Sequence, residues 1–229
     1  MTDPFEGSPW CEPATVAGFA QAPPNGRLME IARAELTRLA RPGRALDLGC
    51  GAGRNAVPLA ALGWEVVALD LSTPMLHAAG ERARAQGLLS RVHRGQAAMD
   101  WVPIAGASVD LVIAHGIWNL ARSGAEFRRA VRDAARVARP GATLFVFTFS
   151  RSTFDADAQP VAGETFVFTQ FSGQPQCFLT EDQLVSELAA AGFIRDAGSP
   201  LVEHNRRRPG SLPSPGVPVI YEGLFRRRA

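Results

Sequence analysis

The sequence predicts an α/β protein with a doubly wound, mostly parallel sheet of seven strands whose last strand is antiparallel. Three observations carry this. Short apolar runs alternate with helix-periodic stretches, as a parallel sheet with crossover helices requires. A glycine-rich turn, Asp47-Leu48-Gly49-Cys50-Gly51-Ala52-Gly53, joins the first such run to a helix-like stretch. After the last helix two strands follow with no helix between them, so they must pair antiparallel.

Taken in order, residues 1 to 24 are rich in Pro and Gly and read as a loop-like arm before a domain spanning 25 to 229. Arg27 to Leu39 forms the first helix, with Leu28, Ile31, Ala32, Leu36 and Leu39 on one face. Strand one is Ala45 to Leu48; a helix follows over Arg54 to Leu62, and strand two is Val66 to Leu69. Thr73-Pro74 supplies an N-cap and a first-turn proline for a helix to Ala85. Strand three lies near Ser90 to Arg94 and strand four at Leu111 to Ala114. A helix over Ala125 to Ala138 buries Phe127, Ala130, Val131, Ala134 and Val137, and strand five is Leu144 to Phe149. An irregular, aromatic-containing stretch precedes the capping box Thr180-Glu181-Asp182-Gln183, which starts a helix to Ala191. Phe193 onward and Val219 to Phe225 are the final pair of strands. There are no internal repeats and no second domain.

The turn at Asp47 to Gly53 has the form of a nucleotide-binding turn. Its glycines let the backbone bend tightly and let a ligand lie against bare main chain. Lys-Ser or Lys-Thr does not follow it, so it is not a phosphate-cradling Walker loop. All 24 basic residues are arginine, which also removes Schiff-base chemistry. One strand later, Trp64 to Asp70 reads as a buried strand ending in a carboxylate that can accept both hydroxyls of a ribose. Gly49, Gly51 and Gly53 form GxGxG, where a dinucleotide fingerprint wants GxGxxG.

With these two elements the chain resembles the class I S-adenosylmethionine (SAM)-dependent methyltransferases. Asp47 to Gly53 matches that family's first motif and Asp70 its second. Gly95-Gln96-Ala97 lies where the family has Gly-Asp-Ala beside the adenine, Val109 to Ala114 is similar to its fourth strand, and Ala138 to Ala142 to its Pro-Gly turn. The resemblance covers roughly residues 25 to 225 and implies a Rossmann-like methyltransferase fold, with SAM as cofactor. It is nearest to small, stand-alone enzymes that methylate small molecules, of the type that includes tellurite- and thiopurine-modifying members. The cofactor residues it implies are Asp47, Gly49, Gly51, Gly53, Asp70 with the following Leu71, Gln96 through its carbonyl oxygen, Ala97 through its backbone amide, and His115. Asp100 is a rival for the adenine contact.

Composition agrees. At 229 residues and 46% hydrophobic, the chain can bury one sizeable core. A formal charge of +2 does not imply nucleic acid. Three scattered cysteines, Cys11, Cys50 and Cys177, fit a reducing compartment and no zinc site. Asp3 and Glu6 replace the basic start of a signal peptide, and no apolar run nears the ~20 residues of a membrane span. A cytoplasmic protein is expected, and exclusive arginine hints at a GC-rich bacterial genome. The expected partner is a small-molecule acceptor, without membrane. The arginine runs 206–208 and 226–228 leave a nucleic-acid methyltransferase as a rival, though the Asn-Pro-Pro-Tyr type motif of base amino-methylating members is absent. A non-catalytic SAM-binding module is a third reading.

A strong cofactor signature with a weak catalytic one is what SAM chemistry needs, because positioning supplies much of the rate. His115 follows strand four at the carboxyl edge of the sheet, where ligands bind. It either touches cofactor or substrate, as base or positioner, or caps the strand end. Trp118 and Asn119 line the acceptor pocket or pack in the core; His204 and Tyr221 reach the acceptor or pack. Cys50 is a small filler in preference to a nucleophile, and His77 and His93 are surface or packing residues. Trp10, Val16 and Phe19 make the arm either a lid with Phe19 over the pocket or a frayed end, and Phe154, Phe166, Phe168 and Phe171 are expected to close the other side.

Overall fold

A computed structural model describes residues 7–196, 198–206 and 216–228. The arm is helical instead of loop-like: a 3-10 turn at Pro9–Cys11 leads into α1 (Pro13–Gln21). Pro13 takes the first helical position, where its fixed φ suits the helix and its missing N–H is not needed. α1 leans on α4 (Thr73–Ala85) without burying a residue fully.

α2 (Gly26–Leu39) follows, capped by Asn25, whose side chain accepts from Leu28 N at 2.9 Å. Then come β1 (Arg44–Leu48), α3 (Ala56–Ala61), β2 (Glu65–Asp70), α4, β3 (Val92–Gln96) and β4 (Val109–His115). α5 (Gly124–Val137) leads into β5 (Ala138–Phe149), and a β6–β7 hairpin (Val167–Phe168, Gln176–Cys177) precedes α6 (Glu181–Ala190). The chain ends with β8 (Phe193–Arg195), β9 (Val202–His204) and β10 (Ile220–Arg227).

The main sheet runs β3-β2-β1-β4-β5-β10-β8, with β9 also paired to β10. β3 to β5 are parallel; β10 runs antiparallel to β5, β8 and β9. Eight strands therefore fill the seven expected positions, because β8 and β9 share one edge of β10. β9 pairs with Ile220 to Glu222 and β8 with Phe225 to Arg227. The expected strand starting at Phe193 is thus two short pieces.

Several boundaries shift. Ser72, not Thr73, caps α4, its hydroxyl accepting from Met75 N. Pro140-Gly141, expected as a turn before the fifth strand, lies inside β5. Gly141 takes φ 75 there, and the β4–β5 register shifts between Val109 and Leu111. The Thr180 capping box forms as read.

Side chains alternate across the sheet. Leu46, Leu48, Val112, Ala114 and Leu144 meet α5 and α6 on one face. Ala45, Leu111, Ile113 and Phe145 meet α2, α3 and α4 on the other. Near-continuous apolar strands are what burial on both faces demands. Across the second face Arg226 of β10 makes a two-pronged pair with Glu35 of α2, at 2.6 and 2.9 Å, and Glu35 is 4% exposed. The 226–228 run is therefore partly structural: Arg227 also donates to the carbonyls of Ala135 and Gly192. Arg206 is exposed and pairs with Glu203 at 3.1 Å, while Arg207 and Arg208 lie outside the described residues. No helix is long and apolar enough to cross a membrane among the described residues.

Candidate functional site

Parity along the strands sets up the site. Asp47 is in register with Ala68 and Ile113, and His115 with Phe147, which faces Glu222. On the α2–α3–α4 face these side chains make a polar row at the carboxyl ends of the strands. Two β-branched or apolar positions further down, the same row is core.

The glycine turn crosses the head of this row. Gly49, Gly51 and Gly53 all take positive φ, 65, 51 and 75°. A Cβ on Gly49 would fall 2.7 Å from Ile117 Cδ1, so Ile117 of the loop after β4 lies on that glycine. A Cβ on Gly51 would stand 3.4 Å from Phe19 Cδ1, so the arm's aromatic ring lies over the second. Asp70 is oriented by the turn itself: Gly51 N donates to one carboxylate oxygen at 2.8 Å and Ser72 N to the other at 2.9 Å.

Asp47 is 1% exposed, and its Oδ2 is buried without a hydrogen-bond partner. Burial, with the charge of Asp70 beside it, pushes its carboxyl up to about 7, against the pull of Arg54. Burial and the same two carboxylates push the Cys50 thiol well above its ordinary range, which leaves it an inert filler. An acceptor atom buried without a donor, beneath glycines against which a ligand can lie, fits a cofactor carrying an ammonium group and a ribose. The expected SAM has both.

His115 is the last residue of β4, not the first beyond it. Its ring stacks on Phe147, 4.2 Å between centroids and 6° from parallel. Burial, helped by the Arg54 charge, lowers its pKa to about 4, so it is neutral at pH 7. Its Nε2 lies 3.5 Å from the Asn25 side-chain nitrogen, which also donates to Glu222 Oε2 at 2.9 Å. The Asn25 backbone N–H donates to Asn55 Oδ1 at 3.0 Å. Asn25 thus joins the arm, α2, the turn, β4 and β10.

Other expected residues divide. Gln96 donates from Nε2 to the Leu71 carbonyl at 2.8 Å, which ties together two residues expected at the adenine end. The Ala97 amide, expected to contact adenine, instead donates to the Asp70 carbonyl at 3.1 Å. Parallel pairing of β2 with β3 continues one residue too far to leave it available. Asp100 is held on α5 by Arg129. Trp118 is fully buried edge-on to Phe127, which is the packing role; its Nε1 and the Oδ1 of Asn119 are buried without partners. His77 and His93 are exposed.

Tyr221 points to the opposite face from Glu222, beside a groove of about 630 Å³ that Arg151, Thr153, Thr180 and Arg206 also line. His204 sits 3.7 Å from Glu222. Tyr221 and His204 therefore do not share one pocket. The Phe154 to Phe178 segment does not close over the turn: Phe154, Phe168, Phe171 and Phe178 stack on one another, and Phe166 packs on Phe127. The arm does lie there, held by Arg82 donating to the Ala20 and Ala22 carbonyls and by Ser72 Oγ donating to Trp10 O at 2.9 Å. Asn25, Arg54 and Glu222 were not among the expected residues. Arg54 could have been found as the residue after the glycine turn, and Glu222 as a carboxylate inside an apolar strand. No group of residues suited to a metal ion occurs among the described residues.

Comparison with known proteins agrees with this geometry. The sequence pattern of a methyltransferase domain matches residues 46–146. Malonyl-acyl-carrier protein O-methyltransferase of Enterobacter lignolyticus is 33% identical over 185 residues, covering 77% of this chain and 67% of that protein. Ribosomal RNA small subunit methyltransferase C of Alcanivorax borkumensis is 33% identical over 110 residues, 47% of this chain and 33% of that one. The chain spans only a third to about half the length of the first curated relatives it matches. The crystal structure of Burkholderia thailandensis 1,6-didemethyltoxoflavin-N1-methyltransferase, with its substrate and S-adenosylhomocysteine bound, superimposes with TM-score 0.63 at 20% identity. It covers 100% of this chain and 92% of that one, and shares the fold.

Proposed function

Because the chain belongs to the class I SAM-dependent methyltransferases, we propose that it transfers a methyl group to the O, N or S/Se nucleophile of a small molecule by in-line displacement. Bound SAM supplies a methyl already activated on a sulfonium. The observation that carries the reading is the buried Asp47 carboxyl, one oxygen of which has no hydrogen-bond partner, beside a glycine turn whose middle amide is fixed by Asp70. In this reading Asp70 takes the ribose hydroxyls, Asp47 the ammonium, and the backbone at Gly49 and Gly51 the body of the cofactor. Gln96 and Leu71 border the adenine. Residues 1–24 serve as a lid on the domain 25–229, excluding water from the transfer.

His115, neutral and stacked, orients the acceptor; its Nε2 faces the Asn25 amide. Asn119, with an unpartnered buried oxygen in the same loop, is the second acceptor-side group. Small-molecule chemistry is favoured because Arg226 and Arg227 of the basic runs are tied into the fold. The likeness to the ribosomal RNA enzyme spans less than half of this chain. Cys50 and Cys177, both buried as thiols, suit the cytoplasm.

The test is calorimetry with S-adenosylhomocysteine, followed by turnover of SAM on a panel of thiols, phenols and amines, with RNA as the rival acceptor. Nucleoside binding and turnover on the small-molecule panel are expected. Tight RNA binding with a steep salt slope would replace the substrate class. Binding without turnover on the panel or on RNA would favour a non-catalytic module.

A further inference from the structure

Arg54 is the first residue after the glycine turn, and nothing in the fold accounts for its charge. Its Nε is buried without a hydrogen-bond partner, and among the described residues its guanidinium makes no hydrogen bond and no ion pair. Among the described arginines, Arg54 is the one with a buried nitrogen left without a partner. Arg226 is paired with Glu35 and Asp196, Arg41 and Arg139 with Asp110. A guanidinium cannot shed its proton to escape burial, and it carries five donors in a fixed fork that matches a carboxylate. A half-buried fork with no acceptor is therefore a fork awaiting one.

Asp47, His115 and Arg82 all lie near enough to feel the charge of Arg54. Asp47 does not approach within ion-pair distance, and its raised pKa makes it a weak counter-charge at neutral pH. Arg82 is engaged with the carbonyls at the end of α1. The surroundings of Arg54 are thus a neutral histidine, a part-protonated carboxyl and a second arginine whose Nη1 is already taken by backbone carbonyls.

We propose that Arg54 is the carboxylate-binding residue of this cleft, holding an anionic ligand group between the glycine turn and His115. The proposal rests on the methyl-transfer reading and deepens it. Two ligands can bring such a group: the cofactor, through its amino-acid carboxylate, and an acceptor that itself carries a carboxylate. The chemistry is shared, and the sources separate by experiment.

The experiment compares the unmodified protein with Arg54→Gln and Arg54→Lys, each checked for an unchanged thermal transition. Calorimetry measures S-adenosylhomocysteine against methylthioadenosine, which has the same nucleoside without the amino-acid end. A second pair, 4-hydroxybenzoate against 4-hydroxybenzamide, is titrated into protein saturated with S-adenosylhomocysteine. If the carboxylate is the cofactor's, Arg54→Gln weakens S-adenosylhomocysteine by about 10–100-fold, the range of a charge-assisted pair, and leaves methylthioadenosine unchanged. If it is the acceptor's, the nucleosides are unaffected and only hydroxybenzoate weakens. In either case Arg54→Lys, with charge but no fork, falls between. An Arg54→Gln protein that binds all four probes like the unmodified one overturns the proposal and leaves methyl transfer standing, as do equal losses within each pair. Failure of the unmodified protein to bind either nucleoside removes the cofactor reading and the proposal with it.

Discussion

Asp47 and His115 lie in one row on one sheet face, and burial moves their pKa values in opposite directions, to about 7 and about 4. Both shifts favour the uncharged form, as desolvation must. NMR titration of the His115 imidazole should therefore show it neutral at pH 7 and protonating only near pH 4. A histidine so placed is a poor proton acceptor, so His115→Ala should slow turnover by less than about tenfold, where loss of a general base costs 10²–10⁴-fold. A steady-state loss within that larger range would restore the base. Asp70→Asn should weaken S-adenosylhomocysteine by about 30–100-fold in calorimetry, on the scale of 2–3 kcal/mol for charged hydrogen bonds. An unchanged affinity in the folded variant would move the ribose elsewhere. The positions of Asp47, Asp70 and His115 were legible because each ends or nearly ends a short apolar run. Asn25 and Glu222 were not: the bond between their side chains joins residues 197 apart in sequence. No local pattern announces a contact made by the final strand crossing back over the first helix.

At the level of elements, helices were readable where apolar spacing and caps agreed, as at Thr180. α1 was missed because the prolines around it look like loop composition until Pro13 is seen at the first helical position. Strand ends moved by a residue or two, since pairing with a neighbour decides them, as with Ala97. The α2–β10 link offers a sharp test. Breaking the Glu35–Arg226 pair from one side leaves the remaining charge only its outer partner, Asp196 or Arg38, so Glu35→Gln or Arg226→Met should destabilise by about 1–3 kcal/mol in urea unfolding. Replacing both with apolar residues should cost far less. The arm supplies another. Phe19 lies over Gly51 and Arg82 holds the end of α1, so Phe19→Ala and Arg82→Ala should both speed nucleoside exchange, measured by stopped-flow fluorescence. Unchanged exchange rates would mean that the arm is not a lid.

For the whole molecule, the signs of the shifts set the pH profile. Glu35 is lowered to about 2: burial opposes this, but hydrogen bonds from Arg226 and Arg38 outweigh it. Its contribution is whole above 4.5 and fades as pH falls towards 2, by about 3 kcal/mol in all. His115, lowered from 6.5 to about 4, contributes above 6.5 and loses that as pH falls through 4. Asp47, raised from 3.8 to about 7, does the reverse: its contribution is whole below 3.8 and is lost as pH rises through 7. The last two oppose each other, so urea midpoints should change little from pH 6.5 to 4.5 and drop steeply below that. Asp47→Asn should remove one of the opposing slopes and leave stability falling steadily from pH 6.5.

The two outer edges of the main sheet bear on how this molecule behaves in a crowded solution. One edge is β3, five residues with His93 and Arg94 exposed. The other is shared by β8 and β9, three residues each, with the chain leaving the sheet between them. A neighbouring chain seeking to extend the sheet finds a short, charged border on one side and a broken one on the other, so neither rim can template a growing intermolecular fibre.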